Sequence, residues 1–193
     1  MMSKDTSKEM KLVRAPADLI SKLSKEANLQ GKTFYSYISE ILEQAVRAYE
    51  MNRSLKEIID AYEVLEIYKE AGGMFTPRDI LEYLVKKVYP EDSETLQRLW
   101  YQTGRWYGVY LKEKTSNSVD AFIRLLREGR WDLNDVIVNR NHETLEFKCV
   151  SPLVSQERTL LMQTFIEGAM HSLGYKTQDK ECIRGIIRLK FSI

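Results

Sequence analysis

The strongest constraint on this chain lies near its start, where a short run has more structural elements than it has residues to fill a core. Met10 to Ala15 reads as an extended segment, because Pro16 keeps Ala15 out of helical angles. Pro16 also suits the first turn of a helix from Ala17 to Leu29, on which Leu19, Ile20, Leu23 and Ala27 share a face. Gly31 stops that helix. Thr33 then caps a second one, Phe34 to Glu50, striped by Phe34, Ile38, Ile41, Leu42 and Ala45. Strand, helix, glycine turn and helix together take only about 40 residues, a size at which a chain rarely sustains a core alone. The unit is expected to complete itself against a second copy.

A third helix follows. Ser54 and Glu57 match a capping box, and the helical pattern runs to Ala71 before Gly72-Gly73 ends it. Met51, Leu55, Ile58, Tyr62 and Leu65 alternate spacings of four and three. That is a heptad seam, shorter than the roughly three to four heptads that specify a coiled coil. Packing on its own domain is the equal alternative for this helix. The expected divisions are 1–50, a linker helix over 51–73, and a second domain over 74–193.

Beyond Phe75 the pattern becomes mixed. Thr76-Pro77 opens a helix to Val88, Ser93 another to Lys112, and Ser118 a third to Arg127. Val136 to Asn139 and Thr144 to Val150 read as strands joined through Arg140-Asn141-His142. A helix over Ser155 to Ser172, ending at Gly174, and an alternating strand over Ile183 to Phe191 complete the pattern. The expected fold class is α+β, with helices set against an antiparallel sheet.

Charge decides little globally. There are 29 basic and 28 acidic residues, so no net field draws the whole chain to a polyanion. Residues 1–33 are locally basic, with Lys4, Lys8, Lys11, Arg14, Lys22, Lys25 and Lys32 against four acidic residues. Two cysteines, Cys149 and Cys182, cannot build a disulfide framework. No apolar run approaches the roughly 20 residues that span a bilayer. Met1 to Met10 is too polar for a signal peptide. A cytoplasmic location without a membrane partner is the expectation.

The stretch MKLVRAPADLISKLSKEANLQGKTFYSYISEILEQAVRAY, Met10 to Tyr49, resembles the ribbon-helix-helix superfamily that includes the Arc, MetJ and CopG repressors. The resemblance implies an intertwined homodimer whose paired strands enter the major groove of double-stranded DNA. By position, Met10, Leu12 and Arg14 would face the groove, Val13 and Ala15 would point inward, and Lys11 would lie near the ribbon end. Lys32, Thr33 and Phe34 would sit at a phosphate clamp, where a helix N-terminus offers free N–H groups. Among the reading positions only Arg14 is a strong hydrogen-bonding side chain; Met10 and Leu12 offer apolar contact. Lys4 and Lys8 could add contacts from the arm.

Three further stretches, WYQTGRWYGVYL, FIEGAMHSLGY and ECIRGIIRLKF, resemble the 4-vinyl-reductase-type ligand-binding domain, a relative of the TRAPP vesicle-tethering subunits. The likeness covers Tyr101 to Phe191. It implies a small, mostly apolar ligand held between helices and sheet. Suitable wall residues are Trp100, Trp106, Tyr107, Tyr110, Met162, Phe165 and Met170. Each of these alone serves equally well as core. Gly104 and Gly108, four apart on a helix, point to close backbone approach, since glycine in a helix costs about 1 kcal/mol against alanine; the second stretch carries Gly168 and Gly174.

Some members of that family carry a cysteine-rich zinc site. Here Cys182 stands, but Leu189 occupies the place of the second cysteine in the C-x-x-G-x-x-x-C pattern. Cys149, His142, His171 and Glu181 lack compact zinc spacing. No metal or cofactor is expected. No nucleophile motif, phosphate loop or HExxH cluster suggests an enzyme. The expectation is a transcriptional regulator in which an effector alters helix packing around Gly104 and Gly168, and the linker helix passes the change to the ribbons. The alternatives are an antitoxin or other interaction protein, or a ligand-binding or enzymatic domain whose N-terminal module only dimerises.

Overall fold

Capping and proline geometry set the first elements. In the computed structural model, which describes residues 12–129, 132–141 and 143–193, Pro16 precedes α1 (Ala17–Leu29) and Thr33 precedes α2 (Phe34–Glu50). The Thr33 hydroxyl accepts from the Ser36 N–H at 3.2 Å, satisfying one of the orphan donors of the first turn. Gly31 between the helices takes φ +65°, a left-handed angle that favours glycine. Ser54 and Glu57 form the reciprocal capping box at the start of α3 (Leu55–Glu70). The chain divides into two compact units, the first ending at Ile58 and the second comprising Ile59–Ile193, so the break falls inside α3.

The first unit has almost no interior. Of its described residues only Ala27 and Ala48 are buried, whereas Leu19, Leu29, Phe34, Leu42, Val46 and Tyr49 are exposed. Of the ribbon strand expected over Met10–Ala15, the described residues Leu12 to Ala15 belong to no ladder, and Met10 and Lys11 lie outside the described residues. The described chain therefore begins with helices. A strand exists through hydrogen bonds to a neighbouring strand, and the sheet of this chain lies wholly in the second unit.

The second unit is a four-stranded antiparallel sheet with helices on one face. Its strands are β1 (Asp135–Arg140), β2 (Thr144–Val150), β3 (Lys176–Ile183) and β4 (Ile186–Ser192), ordered β1-β2-β4-β3. Alternation sends Leu145, Phe147 and Cys149 of β2 inward beside their register partners Phe191, Leu189 and Ile187 of β4. Lys148, Arg188 and Lys190 face out. The strand expected over Ile183–Phe191 is the second arm of a hairpin. It turns at Arg184-Gly185, and β3 comes from a segment, KTQDKECI, with little apolar content. As an edge strand β3 is held by the ladder to β4 rather than by side-chain burial.

α5 (Ser118–Glu128) and α6 (Gln156–Ser172) lie on the inner face of the sheet, and α4 (Arg78–Lys114) packs across α6. α4 bends at Asp92, which has φ −146° and ψ 53° just after Pro90. Proline removes one ladder donor, and the Asp92 carboxylate accepts from the Thr95 N–H at 3.3 Å, capping the second arm. That arm crosses α6 with backbones touching. A Cβ at Gly104 would collide with the Phe165 carbonyl, and one at Gly168 with the Tyr101 carbonyl. Gly108 would meet the Ala169 carbonyl at 2.5 Å. The second half of α3 also joins this unit, with Val64 and Tyr68 buried in its core. Arg124 of α5 reaches Glu63 of α3 at 3.1 Å.

Candidate functional site

The residues expected at the DNA interface stand as follows. Arg14 and Leu12 are exposed and belong to no regular element, Leu12 at 93%. Lys32 is engaged, its ammonium 2.6 Å from the Glu40 carboxylate. Thr33 is the N-cap of α2, and the Phe34 ring beside it is exposed.

The residues expected to wall a ligand separate into three environments. Tyr107, Phe165 and Met170 are fully buried, with Met162 close behind. Tyr107 meets Phe165 edge-on at 5.5 Å, and Phe165 lies 6.0 Å from Phe122. These rings fill the centre of the unit. Trp106 is 54% exposed. The half-buried Tyr110 hydroxyl donates to Glu70. Tyr110 also borders a separate open groove beside Glu66 and Lys114, whereas Trp100 and Met162 share a site. They line a cleft of about 130 Å³ together with Tyr68, Phe75, Leu81 and Met74, and its polar lining is Thr76, Asp132 and Arg158.

Arg158 organises that cleft. It sits in the first turn of α6, after the Ser155 cap, and is only 3% exposed. Its Nη1 donates to Glu82 of α4 at 2.9 Å, and its Nη2 donates to the carboxylate of Asp132 in the segment before β1. Its Nε–H has no partner among the described residues. Glu82 also accepts from the Ser155 N–H at 3.3 Å. One guanidinium therefore faces two carboxylates, leaving the trio at a formal −1. Burial of a charge is tolerated only with such pairing. Tyr68 closes one side, held between Gly73 and Gly129, where an added Cβ would strike its ring. Burial pushes the Tyr68 hydroxyl far above its ordinary range, so it stays protonated.

Glu82, Asp132 and Arg158 were not among the expected site residues. A signal was present: Arg158 lies four residues before Met162 and seven before Phe165, on the face of α6 that becomes core. An arginine there needs carboxylates to meet it.

Two other groups with familiar reactive chemistry are structural here. The Cys149 thiol is pushed up to about 12, chiefly by burial and secondarily by the Asp135 charge, so it is not a thiolate. His171 lies in a chain of hydrogen bonds. Thr177 donates to Glu167 at 3.0 Å, so its oxygen accepts from His171 Nε2 at 2.8 Å. Nδ1 is bonded to the Tyr101 hydroxyl, also at 2.8 Å, with donor and acceptor set by the ring's tautomer. Lys180 closes the chain on Glu167 at 3.1 Å. Among the described residues no group of three or more His, Cys, Asp or Glu is placed to hold a metal ion. None of their helices is long and apolar enough to cross a membrane. The chain matches no protein family, no curated protein and no solved structure.

Proposed function

We propose that the protein is a homodimeric, DNA-binding transcriptional regulator whose C-terminal unit takes up a small, mostly apolar ligand. The observation that carries the reading is the missing interior of the first unit, where two helices bury only Ala27 and Ala48. Burying a leucine, valine or aromatic side chain is worth about 1.5–3 kcal/mol. Leu42, Val46 and Tyr49 thus offer a second copy several times that amount. The segment before α1 needs the same copy, because two such segments side by side would form the ribbon that one chain lacks. Arg14 would then be presented to base edges and α2 N-termini to phosphates. The resemblance to ribbon-helix-helix repressors supports this geometry, and the local basic surplus supports the partner. The protein acts by binding rather than catalysis, consistent with a protonated Cys149 and a His171 spent on structural hydrogen bonds.

The test is a salt-titrated binding assay of the full chain against DNA upstream of its own gene, beside Arg14→Ala and Leu42→Glu. We expect sequence-preferring binding that weakens steeply with salt. Arg14→Ala should reduce preference by about 1–3 kcal/mol, and Leu42→Glu should abolish dimer and binding together. Absence of DNA binding by the wild-type chain at low salt would leave the first unit a dimerisation device only.

A further inference from the structure

The outer face of α4 carries an exposed stripe that the packing of the second unit leaves unused. Beyond Asp92 the helix turns Gly104 and Gly108 against α6. Its opposite side sets Leu99, Trp106 and Val109 in solvent, with Gln102 between them. The spacing 99, 102, 106, 109 alternates three and four, so these residues form one row along the helix. We infer that this row is a contact between copies of the chain, in which two α4 helices pack antiparallel across a two-fold axis beside Trp106. The inference rests on the homodimer reading above and adds to it a second place where the copies meet.

Charge selects the partner and its direction. Arg98 stands at the leading end of the row and Glu113 at its trailing end, on either side of Trp106, and both are exposed. Arg98 reaches the Thr95 hydroxyl of its own helix at 3.4 Å, and neither residue forms an ion pair with a described residue. Two such rows packed parallel would set Arg98 on Arg98 and Glu113 on Glu113. Packed antiparallel, with the axis between positions 105 and 106, Arg98 of each copy meets Glu113 of the other. The same register puts Gln102 beside Val109, brings the two Trp106 rings together at the axis, and lowers Leu99 between Val109 and Glu113. A two-fold contact needs one surface that complements itself, and this row does so in one direction only. A partner of single charge sign would satisfy one end and repel the other, and an anionic lipid surface would repel Glu113. Tryptophan is a frequent anchor of protein contacts, and Trp106 lies at the centre of the row. The strip is only about 22 Å long and one helix wide, less than the roughly 1,200 Å² that a stable interface buries. It closes once the first unit has brought two copies together and raised their local concentration.

The test is disulfide trapping in the full-length chain carrying Cys182→Ser. Gln102→Cys together with Val109→Cys sets thiols in register across the axis, yet two helical turns apart within one chain, too far to join there. Mild oxidation at tens of micromolar should trap a covalent dimer of the double variant at least about fivefold faster than of either single one. Added to that double variant, Arg98→Glu and Glu113→Arg should each slow trapping about fivefold by setting like charges together at both ends. The two reversals combined should restore it. The charge variants should still sediment as dimers, whereas Leu42→Glu should lose dimer and trapping together. Thermal unfolding followed by circular dichroism checks that every variant is folded. The inference is overturned if the double variant is trapped no faster than the single ones, if either reversal leaves trapping unchanged, or if the combined reversal fails to restore it. It is also overturned if the chain co-sediments with phosphatidylserine-containing vesicles and Trp106→Ser abolishes this, which would assign the row to a membrane surface. A chain that sediments as a dimer but is not trapped keeps the homodimer and loses this contact. Trapping that survives Leu42→Glu keeps this contact and removes the first unit as the cause of dimerisation.

Discussion

Arg158 ties distant segments together, because Glu82 and Asp132 reach it from two different parts of the chain. Replacing it with methionine leaves both carboxylates without their counter-charge. They are 25% and 33% exposed, so solvent relieves part of the penalty, and a loss of about 1–3 kcal/mol is expected. Urea midpoints at neutral pH would check it. Cys149 gives the second prediction at this scale. Its thiol stands at about 12 in the folded chain against an ordinary 9.0, so the unfolded chain loses its proton first as pH rises. Stability from this group is fully present below pH 9 and is lost progressively up to about pH 12, reaching a deficit of about 2 kcal/mol near pH 10.5. Tyr107, pushed up to about 12 by burial, adds to the same decline. Denaturation midpoints at pH 8 and 10.5 should separate, and Cys149→Ala should narrow the gap. A thiol reagent at pH 8 should modify the half-buried Cys182 while Cys149 reacts only on unfolding. The sequence says only that two cysteines cannot build a disulfide framework; which lies inside depends on how β2 and β3 register against β4.

At the scale of elements, the glycines of α4 and α6 are the best case of a sequence reading carried into three dimensions. The spacing of four between Gly104 and Gly108 of α4 points to close approach. Gly104, Gly108 and Gly168 are where the backbones meet. Gly104→Ala should therefore destabilise the C-terminal unit by about 1–3 kcal/mol, and more if the helices cannot separate, even though alanine is the better helix former. A gain in thermal stability would show that the crossing is looser than described. The helices themselves are legible because capping residues and period are local. β3 is not. Lys176 to Ile183 has little apolar alternation, and it is a strand only because β4 offers it an open ladder. The proposed ribbon would show the same dependence from the other side: among the described residues before α1, Leu12 to Ala15 form no strand, and only a second copy could supply the ladder. Arg158, Glu82 and Asp132 escaped notice because they are far apart in sequence. Their meeting depends on how α4 and α6 cross.

For the whole molecule, the proposed pairing of the first unit with a second copy would make association part of folding, because its apolar side chains stand exposed in one chain. Thermal unfolding of this unit should shift upward with protein concentration, as for any dimer whose monomer is poorly stable. Leu42→Glu should lower the sedimenting mass to that of one chain while the second unit keeps its own unfolding transition. If wild-type protein sediments as a monomer at tens of micromolar, about the range where a modest interface already holds, the unit must find its core elsewhere.

The bend at Asp92 gives α4 the form of an elbow. Its later arm is pinned where Gly104 meets α6, so that arm has little freedom to shift. Its earlier arm carries Leu81 on one wall of the cleft and Glu82 on the guanidinium, while Trp100 stands on the pinned arm. The cleft is thus spanned by the two arms of one helix, and its aperture is the angle at the joint. Any molecule wider than the gap must open that angle, and the Glu82–Arg158 contact is the catch it has to strain.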